Sequence, residues 1–216
     1  KSSAPFESMC ISMDSRKLRT GDLFVAIIGP RFDGHDFVCD AFSQGAAAAI
    51  VESRPSGIPD QAPLLIVDNA LDSLKALAHS ARARSQARIV AVTGSVGKTG
   101  TKEALRLALG ESGTVTATGG NLNNEYGVPL SLARLPQTSS YGIFELGMNH
   151  PGEIRPLARL VRPEIGIITN VEAVHMANFR SVAEIADAKA EMFEGMSADG
   201  LVILNLSLIH ISEPTR

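Results

Sequence analysis

Residues 91–99 read Ala-Val-Thr-Gly-Ser-Val-Gly-Lys-Thr, so an apolar run leads into a glycine-rich loop that ends in Gly-Lys-Thr. Residues 88–92 have the pattern of a buried strand, and residues 98–109 carry apolar side chains at helical spacing. A strand, a tight glycine loop and a helix in this order predict a phosphate-binding loop, in which backbone N–H groups and the positive end of the helix face the anion. The residues predicted to bind a nucleotide are Gly94, Ser95, Val96, Gly97, Lys98 and Thr99.

This loop is a shortened form of the Walker pattern, because Val92 stands where that pattern has its first glycine. In a phosphate-binding loop, Lys98 neutralises the outer phosphates and the hydroxyl of Thr99 binds Mg²⁺. The alternative is that Gly94 and Gly97 only form a turn. The strand and helix that flank the loop favour phosphate binding.

Composition excludes several classes of protein. The 216 residues are 44% hydrophobic, which is enough for a packed core, and they carry a formal charge of -3 with 8 Phe, 2 Tyr and no Trp. Without a cationic run, this composition predicts no nucleic-acid partner. No apolar run approaches the ~20 residues of a membrane-spanning helix, so we expect no membrane insertion and a cytoplasmic location. Cys10 and Cys39 lack the spacing of a metal site or a disulfide framework, which predicts reduced thiols.

Short apolar runs alternate with helical patterns along the chain, which indicates an α/β protein with parallel sheets. We expect a small N-terminal α/β domain in residues 1–85 and a central domain in residues 86–205, with helices on both faces of a parallel sheet. Residues 206–216 lack the preceding pattern and are expected to be a non-native tail. In the central domain the strands are predicted at 88–92, 114–117, 142–145, 165–170 and 201–204, and the helices at 98–109, 128–135, 153–161 and 181–194.

Five groups of residues together resemble the Mur ligase family of bacterial peptidoglycan synthesis, over about residues 11–205. Near the N-terminus, Asp-Ser-Arg at 14–16 precedes residues 20–26 and 32–37. The other four are the asparagine-rich loop at 118–129, residues 144–153 with Glu145, residues 169–179 with His175, and residues 188–193 with Lys189. The resemblance implies an ATP-dependent ligase with Mg²⁺ that joins a carboxylate to an amine through an acyl phosphate.

Within that family, residues 120–129 are similar to the members that join D-alanyl-D-alanine to UDP-N-acetylmuramoyl-tripeptide, and these two molecules are the implied partners. The alternatives are another ligase of the superfamily, such as the third-residue Mur ligase or folylpolyglutamate synthase, and a nucleotide-binding or UDP-sugar-binding module without turnover. The N-terminal domain would bind the UDP-sugar. The family's third domain would follow soon after Asn205, so this fragment alone is expected to be inactive. Nothing suggests a coiled coil, and we expect a monomer.

The resemblance also implies roles for individual residues. Lys98, Lys189 and His175 are the implied catalytic residues, and Thr99, Glu145, His175 and Lys189 the implied metal ligands. Substrate contacts fall on Ser15, Arg16, Asn121, Asn123 and Asn124. Lys189 matches the family's carbamylated lysine, where CO₂ turns a cation into an anionic oxygen ligand. From the residues alone, the alternatives are ordinary turns at Ser15, Arg16 and the asparagine loop, a solvated strand end at Glu145, a structural His175, and a surface lysine paired with an acid at 189.

Overall fold

The computed structural model describes residues 6–174 and 176–205. The chain divides into two compact units, Lys1–Ala78 and His79–Arg216, and the division falls within the helix Ala70–Arg84. The domain boundary predicted near residue 86 lies just after this helix and stays a prediction. The predicted tail, residues 206–216, and His175 lie outside the described residues.

The first unit contains a parallel sheet and a short hairpin. Its elements are β1 (Ile11–Ser12), β2 (Leu23–Val25), β3 (Ile28–Gly29), β4 (Phe32–Asp33), α1 (Val38–Ser43), β5 (Ala48–Val51), β6 (Leu64–Ile66) and α2 (Ala70–Arg84). Four parallel strands run in the order β1-β2-β5-β6, and β3 pairs with β4 in an antiparallel hairpin. Phe24, Ala49 and Leu64 of the sheet pack with Val38 of α1 in the core.

The second unit contains a five-stranded parallel sheet. Its elements are β7 (Arg88–Thr93), α3 (Lys98–Gly110), β8 (Val115–Ala117), α4 (Gly127–Ala133), β9 (Tyr141–Glu145), α5 (Ile154–Val161), β10 (Ile165–Ile168), α6 (Val182–Ala190) and β11 (Leu201–Leu204). The strand order is β11-β10-β7-β9-β8, and every pair is parallel. A 3₁₀ helix, Glu191–Gly195, follows α6.

The central strand of this sheet, β7, is buried on both faces. Val90 and Val92 pack with Leu105 and Leu109 of α3, and the intervening Ala91 is also fully buried, so both faces of β7 are covered. Helices α4 and α5 contact strands β9 and β7. The predicted parallel α/β architecture is confirmed. Among the described residues, no helix has both the length and the apolar character that crossing a membrane requires.

The parallel sheet determines where the functional side chains meet. Because all five strands point the same way, their carboxyl ends lie at one edge of the sheet. Val92 of β7 lies beside Glu145 of β9, and Thr93 lies beside Ile168 of β10. The loop after β7, the last residue of β9 and the residues after β10 therefore lie side by side.

Candidate active site

The loop between β7 and α3 has the shape that phosphate binding requires. Gly94 and Gly97 have φ values of 149° and 82°, which disfavour residues that carry a Cβ. A Cβ at Gly94 would also overlap the hydroxyl of Thr169. Among the described residues, the backbone N–H groups of Gly97, Lys98 and Thr99 donate to no protein acceptor. Three free donors at the positive end of α3 form an anion-binding site.

Residues that follow β10 hold this loop in place. The backbone oxygen of Asn170 accepts from the N–H of Ser95 at 3.1 Å, and its Oδ1 accepts from the N–H of Val96 at 2.9 Å. The hydroxyl of Thr169 donates to the carbonyl of Val96 at 2.6 Å. The sequence suggested that all N–H groups from Gly94 to Lys98 face the phosphate, but those of Ser95 and Val96 are already bonded to Asn170. Among the described residues, the N–H groups of this stretch that keep no protein acceptor are those of Gly94, Gly97 and Lys98.

Glu145 is a buried carboxylate beside the start of α3. Its residue is only 2% exposed, and the hydroxyl of Thr99 donates to its Oε2 at 3.0 Å. The side-chain amide of Asn123 donates to its Oε1 at 2.9 Å. Within residues 6–174 and 176–205, no lysine, arginine or histidine pairs with this carboxylate. Glu145 is therefore not a solvated strand end.

The oxygen atoms of the Glu145 carboxylate and the Thr99 hydroxyl are suitable ligands for a magnesium ion. A buried carboxylate normally pairs with a cation or binds a metal, and the Thr99 hydroxyl supplies a second oxygen within hydrogen-bond distance of it. Mg²⁺ is commonly bound through one or two carboxylates together with the phosphates of its substrate. Consistent with such a sparse site, no three His, Cys, Asp or Glu side chains form a metal cluster in the part of the chain that the structure describes.

Two lysines carry charge in this region: Lys98 directly precedes Thr99, and Lys189 is close enough to Lys98 for the two charges to interact. The ammonium group of Lys98 donates to the carbonyl of Gly94 at 2.8 Å and is within 3.5 Å of that of Ser95, so it folds back over its own loop. Lys189, on α6, is only 2% exposed, and no described carboxylate pairs with it. Burial, and to a lesser extent the positive charge of Lys98, lower the pKa of Lys189 to about 8. The alternative of a surface lysine paired with an acid is therefore wrong.

The lowered pKa of Lys189 predicts how stability depends on pH. Below pH 8 the fold must bury an ammonium ion, whereas between about 8 and 10.5 the folded chain has released a proton that the unfolded chain still binds. Stability should therefore rise through that interval. We expect Lys189→Met to raise the free energy of unfolding at pH 7 by at most about 3 kcal/mol, with a gain that shrinks towards pH 10.5. Urea denaturation of both proteins in CO₂-free buffer at several pH values measures this difference in the free energy of unfolding.

Lys75→Met is the matched control, because Lys75 is an exposed lysine that pairs with Asp72. It should change stability little at any pH. Equal stability of Lys189→Met and the unsubstituted protein at pH 7 would contradict the lowered pKa.

The asparagine loop lies beside the same carboxylate. Asn123 and Asn124 line a cleft of about 510 Å³ together with Lys98 and Glu153. Part of each amide is used within the protein: Asn123 donates to Glu145, and the Oδ1 of Asn124 accepts from the N–H of Gly127 at 2.9 Å. The first contact orients a carboxylate, and the second satisfies the N–H of the first residue of α4.

The other predicted substrate contacts make no hydrogen bond to Glu145 or Thr99 among the described residues. Asn121 is exposed, and its carbonyl accepts from the N–H of Asn123. In the first unit, Ser15 is buried and Arg16 is exposed. The guanidinium of Arg16 binds both carboxylate oxygens of Asp14 at 2.9 and 3.0 Å and lowers the pKa of that carboxyl. His150 bonds to Glu153 within the turn at 149–153.

Sequence analysis missed two residues that contact the site. Lys102 is buried on α3, and its ammonium group donates to the carbonyl of Thr118. The hydroxyl of Thr118 accepts from the N–H of Glu145 at 3.1 Å. The available signal was weak: Lys102 follows Lys98 by one helical turn, so both side chains lie on neighbouring parts of one helix face.

Comparison with known proteins identifies the family. Residues 92–212 match the Mur ligase middle domain, and residues 8–89 match the catalytic domain of the Mur ligase family. The chain belongs to the Mur ligase family.

The relatives include the UDP-N-acetylmuramoyl-tripeptide–D-alanyl-D-alanine ligase of Escherichia coli, which is 44% identical over 90% of this chain and 42% of its own length. A crystal structure of MurF from Acinetobacter baumannii has a TM-score of 0.80 at 36% identity and covers 90% of this chain and 42% of that one. MurF from Thermotoga maritima, solved in complex with ADP, has a TM-score of 0.79 at 31% identity. The match covers 94% of this chain and 48% of that one. This chain thus spans less than half of the proteins that it matches.

Proposed function

We propose that this chain forms the substrate-binding and nucleotide-binding part of an ATP-dependent ligase that joins D-alanyl-D-alanine to UDP-N-acetylmuramoyl-tripeptide. The observation that carries the proposal is the contact between Thr99 and the buried Glu145, whose carboxylate pairs with no cation among the described residues and lies beside the start of α3. Such an arrangement suits a magnesium nucleotide. The names of the relatives, and the ADP in one of them, support the substrates.

The reaction has two steps. A terminal carboxylate oxygen of the tripeptide attacks the γ-phosphorus of ATP, the bond from that phosphorus to the bridging oxygen breaks, and ADP leaves. The amine of D-alanyl-D-alanine then attacks the carbonyl carbon of the acyl phosphate, which releases inorganic phosphate and a proton as the amide forms. In the first step two anions must approach each other, so positive charge has to be concentrated around the γ-phosphate.

Individual residues of this chain would supply that charge and hold the reactants. The N–H groups of Gly97, Lys98 and Thr99 would bind phosphate oxygens, and the Lys98 ammonium would move from the carbonyl of Gly94 to the outer phosphates. Thr99, Glu145, His175 and carbamylated Lys189 would hold Mg²⁺, which neutralises phosphate charge and polarises the phosphorus. Lys98 begins the helix that follows β7, and Glu145 ends the neighbouring strand β9, so both would act on the same phosphate chain.

Carbamylation of Lys189 is part of the proposal. A neutral Nζ attacks the carbon of CO₂, one proton goes to solvent, and an anionic carbamate with two oxygen atoms results. Burial without a carboxylate partner lowers the pKa to about 8, which increases the neutral fraction that reacts. The same burial disfavours an unmodified ammonium beside a metal ion.

Lys189→Ala tests this modification. In the full-length enzyme the variant should lose most ligase activity, because a metal ligand is missing, and short carboxylic acids such as acetate should restore part of it by supplying an oxygen ligand. The measurement is ATP-dependent phosphate release against acetate concentration. Chloride at equal ionic strength is the control. A variant that is folded, binds ATP and shows no rescue would contradict carbamylation.

Substrate placement is proposed for two further groups. The asparagine loop, with Asn121, Asn123 and Asn124, would position the tripeptide carboxylate near the γ-phosphate, since amides both donate and accept hydrogen bonds without adding charge. Ser15 and Arg16 would bind the UDP part in the first unit. The guanidinium of Arg16 would then have to exchange its bond with Asp14 for a bond with the ligand. We further propose that the protein is a cytoplasmic monomer.

Calorimetric titration of the chain with UDP-N-acetylmuramoyl-tripeptide, UDP-N-acetylmuramoyl-dipeptide and folate tests the substrate. Selective binding of the tripeptide is the expected result. Preference for the dipeptide or folate would instead indicate another ligase of the superfamily. Phosphate release by the full-length protein, with and without D-alanyl-D-alanine, then separates a ligase from a module that binds without turnover.

A further inference from the structure

Lys102 is a buried cation that the proposed reaction does not use. Its residue is only 1% exposed, although α3 also has a solvent-facing side that carries Arg106. Its ammonium group makes two contacts: a hydrogen bond of 2.8 Å to the carbonyl of Thr118 and an ion pair of 3.3 Å with Glu103, which is 46% exposed. Burying an ammonium ion costs free energy, so the contact with Thr118 needs a reason.

Thr118 connects two strand ends and is itself only 2% exposed. Its backbone N–H donates to the carbonyl of Ile143 at 2.9 Å, and its hydroxyl accepts from the backbone N–H of Glu145 at 3.1 Å. Thr118 is also the first residue of the loop that carries Asn123, which donates to the Glu145 carboxylate. Both the backbone and the side chain of Glu145 therefore depend on the position of Thr118.

The contacts form a closed ring. Thr99 and Lys102 lie three residues apart on α3, so they belong to the same rigid helix. Thr99 bonds to the Glu145 carboxylate, the N–H of Glu145 bonds to Thr118, and Lys102 bonds to Thr118. The bond from Lys102 fixes Thr118 to α3, and Thr118 in turn holds Glu145. The ring therefore fixes the distance between the Thr99 hydroxyl and the Glu145 carboxylate, the two oxygen ligands of the proposed metal site.

We propose that Lys102 is a positioning residue, which acts through Thr118 to hold Glu145 against Thr99 so that the pair is ready to bind a magnesium ion. This inference rests on the proposed function of that pair. Mg²⁺ demands near-ideal octahedral geometry, so loosening the distance between two of its ligands weakens binding. Lys102 itself touches neither the metal nor a substrate.

The test measures ADP binding to this chain by calorimetry, once with Mg²⁺ and once with EDTA. The ratio of the two affinities reports the metal contribution, which a merely structural role would leave unchanged. Lys102→Met should reduce that ratio about tenfold while ADP affinity in EDTA stays within about twofold of the unsubstituted chain. Met has a similar length and no charge, so the fold should tolerate it.

Thr118 provides a matched pair of variants. Thr118→Ser keeps the hydroxyl and should retain the metal contribution, whereas Thr118→Val keeps the shape without the hydroxyl and should lose as much as Lys102→Met. Combining Lys102→Met with Thr118→Val should cost little more than either change alone, because both break the same ring. Fully additive losses would overturn the inference.

Glu103→Gln is the control for the charge of Lys102. It removes the ion pair but leaves the hydrogen bond to Thr118, so the metal contribution should not change. If Glu103→Gln reduces it as much as Lys102→Met does, the inference is wrong.

Glu145→Gln separates this inference from the proposed function. If it leaves the metal contribution intact, the proposed metal site itself fails. If it abolishes the contribution while Lys102→Met preserves it, only the role of Lys102 fails.

Discussion

Lys98→Ala is expected to reduce ligation by the full-length enzyme at least about a thousandfold, because it removes the cation proposed to bind the γ-phosphate. Binding of the UDP-linked substrate should change little, since the UDP site is proposed in the first unit and the loop in the second. Steady-state phosphate release measures the first quantity, and calorimetry with UDP-N-acetylmuramoyl-tripeptide measures the second. Equal losses in both would contradict the separation of the two sites.

Arg106→Ala is the matched control for Lys98→Ala. Arg106 is another cation of α3, but it is partly exposed and pairs with Glu103. The substitution removes the same formal charge from the same helix without touching the loop. Activity close to that of the unsubstituted enzyme is expected. This result would show that the loss in Lys98→Ala comes from the position of the cation and not from the net charge of α3.

Gly94→Ala is expected to destabilise the second unit by about 2–4 kcal/mol and to abolish ADP binding to the loop. Two causes act together: the φ value of 149° is rarely adopted by residues with a Cβ, and the new methyl group would overlap the hydroxyl of Thr169. Urea denaturation and ADP calorimetry on this chain measure the two effects. Normal ADP affinity in this variant would show that the loop does not bind phosphate in the conformation described.

Two further variants separate these causes. Adding Thr169→Ala to Gly94→Ala deletes the overlapping hydroxyl and should recover part of the stability, with the backbone strain remaining. Gly100→Ala, on α3, is the control, because a Cβ there meets nothing within 4 Å. That change should leave ADP binding intact and stabilise the helix slightly, by about 0.5–1 kcal/mol.

The order of elements could be predicted because it depends on local pattern. Residues 88–92 and 98–109 were predicted as strand and helix, and the structure has β7 at Arg88–Thr93 and α3 at Lys98–Gly110. The end of β10 was placed too late, at residue 170 instead of Ile168. Thr169 and Asn170 directly follow the apolar run of β10, but they bond to the phosphate loop instead of continuing the strand, and that partner is distant in sequence.

The candidate site was predictable in part for the same reason. Lys98 and Thr99 belong to a contiguous motif whose function depends on backbone shape. Whether the Glu145 carboxylate lies bare in solvent or buried against Thr99 depends on which strands are neighbours, and this follows only from the sheet order. The burial of Lys102 and its bond to Thr118 depend on packing between α3 and the end of β8, which no local pattern encodes.

The hydrogen bonds that Asn170 accepts from the phosphate loop have a consequence for the kinetics of nucleotide capture. The N–H groups of Ser95 and Val96 are bonded to Asn170 and the Lys98 ammonium to Gly94, so contacts within the protein hold the loop in its shape. Little conformational entropy is then lost on association, and the incoming phosphate needs only to displace water and one lysine contact. Such a preorganised loop favours fast, reversible exchange of nucleotides, which suits the proposed ligase, because its reaction would release one ADP in every turnover.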